Sequence, residues 1–404
     1  MVRNRGLAVS VLTLVGVVSA CGGSLASPTS GSPAARSSGA DAASSSTVGA
    51  APSIPTTAAS VPAVSAFELF GAIPTQPVDA ATGDRLQAAI DRIAKAAPDA
   101  IAAVVSPAGT WAGAAGVDGP DQRPAKPTDE FAIASVTKTV TASLVLKLAD
   151  EGKIDLHAPI ANYVKSLGVD GNGATVEQVI GMKSGMGDTV QAFFDEAYAH
   201  CERTWTPSEL VSTFGDPVGP AGTDHYSNPS YKLLGFAVEQ VTGMPMADAF
   251  RSVLDPAGGA LMMVQTAETK PPEPWALPIA GHNGDMALGD FGKGGALPCL
   301  GYASGSLSAS GMASDAPSLA RWAWALANGE IVSQERLTMM SSGYGLDDLS
   351  DLAPGAYGHS GTQPGYASVL ALLPRERAVI VLFENDGDLD VVSSAGFLAR
   401  ALGG

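Results

Sequence analysis

The strongest constraint on the fold is an apolar stretch from Ser135 to Glu151. Apolar residues recur at every fourth position from Val136 to Leu148, no proline interrupts them, and Gly152 stands where a helix would end. The pattern predicts a helix. Because apolar residues fill most of its remaining positions too, this helix has little polar face, and we expect it to be buried at the centre of a domain.

The first turn of this helix carries Ser135 and Lys138 in the order Ser-x-x-Lys. Residues three apart share a helix face, so the lysine amine is predicted to lie beside the serine hydroxyl. Burial lowers the pKa of a lysine, and a neutral amine can activate a serine as a nucleophile. The tetrad alone leaves an alternative open, in which Ser135 caps the helix and Lys138 extends to solvent.

The overall composition is that of a globular and strongly acidic protein. The 404 residues carry a formal net charge of -17, and 46% of them are hydrophobic, which is enough to fill a sizeable core. The length fits one large domain or two ordinary ones. The negative charge argues against a nucleic-acid partner and against adhesion to anionic lipid.

The N-terminus has the features of an export signal. Two arginines lie within the first five residues, and the apolar stretch from Gly6 to Ala20 is too short to span a bilayer as a helix. It runs into Val18-Ser-Ala-Cys21, which resembles a bacterial lipobox. We therefore expect residues 1–20 to be a lipoprotein signal peptide and Cys21 to be lipidated, anchoring the protein to the outer face of a membrane. The alternatives are an ordinary secretory signal and a chance cysteine.

The following segment, residues 21–66, is rich in Ser, Ala, Gly, Pro and Thr and has almost no large apolar side chains. Such a composition cannot bury enough surface to fold, so we expect a disordered tether. The folded domain is then residues 67–404. It contains Cys201 and Cys299, which in an oxidising compartment either form a disulfide or remain two small buried thiols.

Both ends of the folded domain have the pattern of strands. Short apolar runs separated by turn residues predict two hairpins, one over residues 100–105 and 110–117 and one over 367–373 and 378–383. Helices are predicted next to each hairpin, after Asp79 and over 388–402. We therefore predict an α/β (α+β) fold, with an antiparallel sheet built from both termini, flanked by these helices. An all-helical subdomain is inserted at about residues 150–335.

Two further motifs follow the Ser-x-x-Lys tetrad along the chain. They are Tyr226-Ser-Asn228 and, just before a predicted strand, His359-Ser-Gly361. In isolation, Tyr226 would be a core tyrosine and Asn228 a turn residue. In this order the three motifs resemble those of the serine β-lactamase and penicillin-binding-protein superfamily, in the form typical of class C β-lactamases and D,D-peptidases. The similarity covers about residues 82–400.

The resemblance implies a β-lactamase/transpeptidase-like fold and a set of catalytic roles. Ser135 would attack a carbonyl and form an acyl-enzyme. Lys138 and Tyr226 would share the proton transfers. Because a neighbouring ammonium favours a phenolate, we expect Tyr226 to act as the base and then to return the proton to the leaving group.

The same resemblance implies the substrate-binding residues. Asn228 would hold the amide of the substrate. His359 would lie at the mouth of the site and bind a substrate carboxylate when protonated, so that binding weakens as the pH rises through about 6–7. Gly361 would let the substrate lie along the strand. The backbone N–H groups of Ser135 and Thr362 would form the oxyanion hole.

Together the motifs predict a cell-envelope serine hydrolase that acts through an acyl-serine on D-amino-acid peptides, β-lactams or related amides and esters, with no cofactor. Histidine in the third motif, where most β-lactamases have lysine, favours a peptidase, esterase or amidase. A lipoprotein that binds penicillin or wall peptide without turnover is the rival from another class, and a structural wall lipoprotein is a third. The spacing of His200, Cys201 and His225 fits no standard metal site.

Overall fold

The structure, a computed structural model, describes residues 67–403 apart from 119–121, 201–202, 386–388 and most of 255–299, where only the backbone of three short strands is described. Cys21, Cys201 and Cys299 lie outside the described residues. The lipidation, the signal peptide, the tether and the disulfide therefore stay predictions. No helix in the described part of the chain is long and apolar enough to cross a bilayer.

A seven-stranded antiparallel sheet runs through the protein in the order β3-β2-β1-β12-β11-β10-β9. Its central strands are wholly buried apolar runs, as expected for a sheet covered on both faces. The strands are β1 (Asp99–Ser106), β2 (Gly109–Asp118), β3 (Arg123–Pro124), β4 (Phe131–Ala132), β5 (Met262–Met263), β6 (His282–Asn283), β7 (Met286–Ala287), β8 (Met312–Ser314), β9 (Asp347–Asp348), β10 (Tyr357–Gln363), β11 (Tyr366–Leu373) and β12 (Ala378–Glu384).

Helices are the commonest elements among the described residues between β2 and β9, and one further helix closes each end. The prediction of an all-helical insertion is wrong, because β8 pairs with β4 and β5 in a three-stranded sheet and β6 pairs with β7. Side-chain caps begin several of the helices; for example, Thr175 and Thr206 each form a reciprocal capping box. The helices are α1 (Ala80–Ile93), α2 (Thr137–Asp150), α3 (Val176–Ile180), α4 (Val190–Ala199), α5 (Pro207–Phe214), α6 (Asn228–Thr242), α7 (Met246–Leu254), α8 (Leu300–Ser310), α9 (Ala316–Ala327), α10 (Gln334–Met340) and α11 (Val391–Gly403).

The two ends of the domain meet in the middle of the sheet, where β1 pairs with β12 and Ile101 lies opposite Phe383. Both side chains face the core that contains α2 and α9. Their neighbours Ala102 and Leu382 face the other core, under α1 and α11, because side chains alternate along a strand. The predicted sheet, both hairpins and both flanking helices are confirmed.

The central helix α2 is confirmed as the most buried helix of the site. A 3₁₀ turn, Ala134–Val136, leads into it, and every residue from Thr137 to Leu146 is buried. Gly152 follows its end at φ +71°, a left-handed conformation that glycine adopts without strain. The helix thus fixes the position of its first turn relative to the sheet.

Candidate active site

Ser135 lies in the 3₁₀ turn that precedes α2, and it is half-buried. The residue before it, Ala134, has φ +44°, which is uncommon for a residue with a side chain. Such strained backbone is maintained only where the surrounding structure determines it, and it occurs often at active sites. Here the turn is fixed by β4 on one side and by the buried α2 on the other.

Lys138 is fully buried in the first turn of α2 and donates three hydrogen bonds. Its Nζ donates to Ser135 Oγ at 2.9 Å, to Asn228 Oδ1 at 2.6 Å and to Ala309 O at 2.8 Å. The amine therefore lies beside the serine hydroxyl, as the spacing predicts. The alternative in which it extends to solvent is wrong, because its exposed fraction is 0%.

The protonation of Lys138 is balanced near neutral pH. Burial lowers the pKa of Lys138 to about 7, an effect that the Asp188 carboxylate opposes and the Lys232 charge reinforces. A neutral amine has two N–H groups and one lone pair. The two carbonyl acceptors can take both N–H groups, which leaves the lone pair for the hydroxyl proton of Ser135. The neutral form is thus placed to act as a general base.

Tyr226 reaches the same serine from the loop before α6. Its hydroxyl donates to Ser135 Oγ at 2.9 Å, and its ring centroid lies 4.9 Å from Lys138 Nζ. Although 43% of the residue is exposed, burial of its phenol group raises the pKa of Tyr226 above its ordinary value. The expectation that the ammonium favours a phenolate is therefore wrong, because desolvation outweighs that attraction. Tyr226 keeps its proton and can donate it.

Asn228 begins α6, and its side chain is held at both ends. Nδ2 donates to Asp188 Oδ2 at 2.8 Å, the backbone N donates to the same oxygen at 3.3 Å, and Oδ1 accepts from Lys138. The side chain thus connects Asp188 to Lys138, which differs from the expected role of holding a substrate amide. Burial raises the pKa of Asp188, and the hydrogen bonds from Asn228 and the Lys138 charge oppose this.

A small cavity of about 30 Å³ opens beside Ser135, against α4 and α6. Asp188, Phe193 and Lys232 line it together with Asn228. Sequence analysis missed both charged residues. Lys232 could have been found, because it lies four residues after Asn228 and so on the same helix face. No local signal indicates Asp188, which meets Asn228 across 40 residues of chain.

His359 lies on β10 and is buried, with an exposed fraction of 5%, instead of standing at the mouth of the site. Its Nδ1 is 2.5 Å from the Ser360 carbonyl oxygen, and its Nε2 is 3.7 Å from Asp347 Oδ2. Burial lowers the pKa of His359, the Asp347 carboxylate opposes this and the Lys138 charge adds to it. His359 is therefore neutral at neutral pH, so the expected binding of a substrate carboxylate by a protonated histidine is not supported.

Gly361 brings β10 into direct contact with the nucleophile turn. A Cβ at this position would lie 2.5 Å from Ile133 O and 2.7 Å from Ser135 N, which no side chain tolerates. Ser368 on β11 fixes the same contact by donating from Oγ to Ile133 O at 2.7 Å. The backbone of β10 thus lies beside the Ser135 amide. The resemblance places an oxyanion hole here, formed by the backbone N–H groups of Ser135 and Thr362. Thr362 itself is exposed.

A larger cavity of about 400 Å³ lies away from these residues, lined among others by Trp111, Arg321 and Trp324. None of the motif residues lines it, so the candidate site remains the small cavity at Ser135. Among the side chains that the structure describes, no three His, Cys, Asp or Glu residues gather as metal ligands would.

Solved structures with this architecture include enzymes that act on D-amino-acid derivatives. A D-stereospecific amidohydrolase from Streptomyces sp. is 27% identical, with 80% of this chain and 99% of that one covered and a TM-score of 0.64. The D-amino acid amidase from Ochrobactrum anthropi SV3, in complex with D-phenylalanine, is 24% identical at a TM-score of 0.67, with 80% and 99% coverage. At 24% identity, the similarity to this amidase shows only that the two proteins share a fold.

Curated relatives match smaller parts of the chain. PbpX of Bacillus subtilis, whose name places it among penicillin-binding proteins, is 22% identical over 268 residues, which are 64% of this chain and 63% of PbpX. Protein flp of Staphylococcus aureus is 30% identical over 124 residues, which are 29% of this chain and 24% of flp. The chain thus spans less than two thirds of the length of either relative.

The family model described as Beta-lactamase matches residues 86–403, which is most of the chain and includes all three motifs. The match begins within α1 and ends at the last residue of α11, so it covers the sheet, both flanking helices and the inserted helices. With its antiparallel sheet, its serine, lysine and tyrosine in mutual contact, and these neighbours, the chain belongs to the beta-lactamase family and is a serine hydrolase.

Proposed function

We propose that the protein hydrolyses amide and ester bonds of D-amino-acid substrates through an acyl-enzyme on Ser135. The observation that carries the proposal is the network in which Ser135 Oγ contacts both Lys138 Nζ and the Tyr226 hydroxyl at 2.9 Å. The D-stereospecific amidohydrolase of Streptomyces, 27% identical over nearly its whole length, supports the substrate class.

In the acylation step, neutral Lys138 accepts the hydroxyl proton of Ser135 while Oγ forms a bond to the substrate carbonyl carbon. The negative charge on the carbonyl oxygen is stabilised by the backbone N–H groups of Ser135 and Thr362. As the tetrahedral intermediate collapses, Tyr226 donates its proton to the leaving amine or alkoxide. The proton held by Lys138 then returns to the phenolate, so both groups regain their starting states.

Deacylation repeats these transfers with water in place of the serine. Lys138 accepts a proton from water as the hydroxide oxygen bonds to the acyl carbon, and the Ser135 Oγ–carbon bond breaks. Ser135 regains its proton from the same network. The balance is one amide or ester plus water giving one acid and one amine or alcohol, which requires no metal or redox group.

The environment of His359 favours substrates whose leaving group lacks a carboxylate. A carboxypeptidase or β-lactamase substrate would need a cation near the end of β10, and the third motif here provides a buried, neutral imidazole. Amides and esters of D-amino acids do not need that charge. This favours amidase or esterase activity over D,D-carboxypeptidase and β-lactamase activity.

The proposal includes the place of action. The lipobox-like Val18–Cys21 and the linker to residue 66 suit a lipoprotein on the outer face of a membrane, with a tether that reaches roughly 35–40 Å. Metabolic labelling with a fatty-acid probe, compared between the full chain and Cys21→Ala, tests it. Loss of the label in Cys21→Ala is expected, and labelling that persists would overturn the anchoring.

Intact-mass spectrometry of residues 65–404 tests the catalytic proposal, with Ser135→Ala as the control. The substrates are a D-phenylalanine ester, D-phenylalanine amide, the matching L-amide and a fluorescent penicillin. We expect Ser135-dependent turnover of the D-ester and D-amide and slow or no turnover of the L-amide. A penicillin adduct that forms and clears would favour a β-lactamase, and a persistent one a penicillin-binding peptidase. No reaction with any of these substrates would favour the alternative of a lipoprotein that binds penicillin or wall peptide without turnover.

A further inference from the structure

Lys232 is a second buried lysine at the site, and the mechanism above does not use it. Only 2% of its surface is exposed, yet it lines the cavity that contains Ser135. Its Nζ lies 4.1 Å from the ring centroid of Phe193, a contact that stabilises a cation without using its N–H groups. The ammonium makes no hydrogen bond with any residue in the described part of the chain.

A buried ammonium whose N–H groups meet no protein acceptor is costly unless a group in the adjoining cavity accepts from them. The Asp188 carboxylate attracts Lys232 but forms no salt bridge with it within the described residues. Asp188 Oδ2 already accepts two hydrogen bonds from Asn228. The donors of Lys232 are therefore free to bind a group that enters the cavity.

We propose that Lys232 binds a carboxylate of the substrate in the cavity beside Ser135. The cavity holds roughly two water molecules by volume, so it admits a small polar group and excludes a ring. A carboxylate meets the ammonium with both charge and acceptors, as no neutral group does. The inference rests on the proposed function and adds to it a substrate class, D-amino-acid derivatives that carry an acidic group.

The proposed function favours the acyl side chain of the substrate as the source of this carboxylate, and the leaving group is the other source that the test must distinguish. Two pairs of ligands distinguish these sources, and the members of each pair differ only by a carboxylate and its neutral amide. The α-amides of N-acetyl-D-glutamate and N-acetyl-D-glutamine, which carry no free α-carboxylate, test the acyl side chain. D-alanyl-D-alanine and D-alanyl-D-alaninamide test the leaving group.

Calorimetry on Ser135→Ala protein measures this binding without turnover. In one pair we expect the acidic member to bind at least about tenfold more tightly than its amide, and this preference to disappear in Ser135→Ala/Lys232→Met. Ser135→Ala/Lys165→Met is the control, because Lys165 is an exposed lysine outside the site and its loss changes the net charge equally. The inference would be overturned if the acidic member is preferred equally with and without Lys232. It would also be overturned if neither pair shows a preference for its acidic member.

The pH dependence provides a test that needs no substitution at Lys232. Burial lowers the pKa of Lys232 to about 8, and the Asp188 carboxylate opposes this. Lys138 and Asp188 are the other charged groups near it, with Tyr302 and Phe193 completing the wall. The preference for the acidic member should therefore fall as the pH rises through about 8. A preference that is constant from about pH 7 to 9 would contradict the inference even if Lys232→Met fails to fold.

These outcomes separate the inference from the proposed function. If the wild-type protein turns over neutral D-amides but Ser135→Ala shows no preference that depends on Lys232, only the inference fails. If Ser135→Ala shows that preference but the wild-type protein turns over no D-substrate, only the proposed function fails. A melting temperature of Lys232→Met at or above that of wild type would add support, since replacing a buried unsatisfied charge by an apolar isostere does not destabilise a core.

Discussion

Asp188 Oδ2 accepts hydrogen bonds from both the backbone and the side-chain nitrogen of Asn228. A carboxylate can only accept, so this contact orients the amide with Nδ2 towards Asp188 and Oδ1 towards Lys138. The buried lysine thereby gains a fixed acceptor at 2.6 Å. Asp188 is thus a positioning residue, and it acts on Ser135 through Asn228 and Lys138.

Asp188→Asn should therefore change both the rate and its pH dependence. The new amide oxygen can still accept from Asn228, but both hydrogen bonds lose the charge that strengthens them. A loss of about 1.4 kcal/mol corresponds to a fall in kcat/KM of roughly tenfold. The Asp188 charge also raises the pKa of Lys138, so its removal should move the ascending limb of the pH–rate profile to lower pH. Stopped-flow assays of a neutral D-ester from about pH 5 to 9 measure both effects. If Asp188→Asn is slower but the ascending limb of its pH–rate profile stays at the wild-type pH, the role of Asp188 is purely structural.

The wild-type pH profile is a separate prediction. Only neutral Lys138 can accept the serine proton, so kcat/KM for a neutral ester should rise with pH through about 7. It should then stay level, because Tyr226 keeps its proton at still higher pH. Lys138→Arg should be inactive throughout, since a guanidinium is not deprotonated. A rate that falls through pH 6–7 would contradict this and would restore the requirement for protonated His359.

Tyr226→Phe should affect amides more than activated esters. The variant keeps the ring next to Lys138 but removes the hydroxyl that donates to Ser135 Oγ. An amine cannot leave without a proton, so kcat/KM for a D-amide should fall by about 10²–10³. A p-nitrophenolate leaves unaided, so kcat/KM for the p-nitrophenyl ester should fall by less than about tenfold. Equal losses on both substrates would mean that Tyr226 does not protonate the leaving group.

Most of the fold could be predicted because it is encoded in local patterns. The continuous apolar stretch of α2 and the apolar runs of β1, β11 and β12 are buried, and burial of this extent leaves a clear signal in the sequence. The meeting of Ser135 with Lys138 also follows from helix spacing alone. The contact of both with Tyr226 was expected only from the order of the three motifs.

The electrostatics of the site could not be predicted in the same way, because burial and long-range contacts determine it. The pKa of Tyr226 rises although a lysine lies beside it, since desolvation of the phenol dominates. His359 is buried on β10, although the resemblance places it at the mouth of the site. Asp188 enters the network from a distant loop with no motif of its own. Each of these depends on tertiary packing rather than on residue type.

Gly361→Ala tests the contact between β10 and the nucleophile turn. The added methyl group would lie 2.5 Å from Ile133 O and 2.7 Å from Ser135 N, so the strand must move away from the turn. Because the oxyanion hole depends on that contact, kcat should fall by about 10² or more. Ser360→Ala, on the neighbouring residue of the same strand, is the matched control and should retain activity. A fully active Gly361→Ala would show that the hole is formed elsewhere.

Glu130 provides a prediction about stability that does not involve catalysis. It is 5% exposed, and its Oε2 has no hydrogen-bond partner among the described residues. Burial, with the Asp315 carboxylate acting in the same direction, raises the pKa of Glu130 from 4.5 to about 8. Between about pH 4.5 and 8, Glu130 therefore keeps a proton in the folded protein that it has released in the unfolded protein. Stability is therefore full below about pH 4.5 and declines as the pH rises towards about 8.

Glu130→Gln removes this proton linkage while keeping the shape of the side chain. At about pH 5 the variant should match the wild-type protein, and at about pH 8 it should be more stable by roughly 2–4 kcal/mol. Urea unfolding at the two pH values measures the difference. Asp84→Asn, which removes an exposed carboxylate from α1, controls for the change in net charge and should show no such gain. Parallel pH dependence in Glu130→Gln and wild type would mean that Glu130 is ionised in the folded protein, with a partner that compensates its burial.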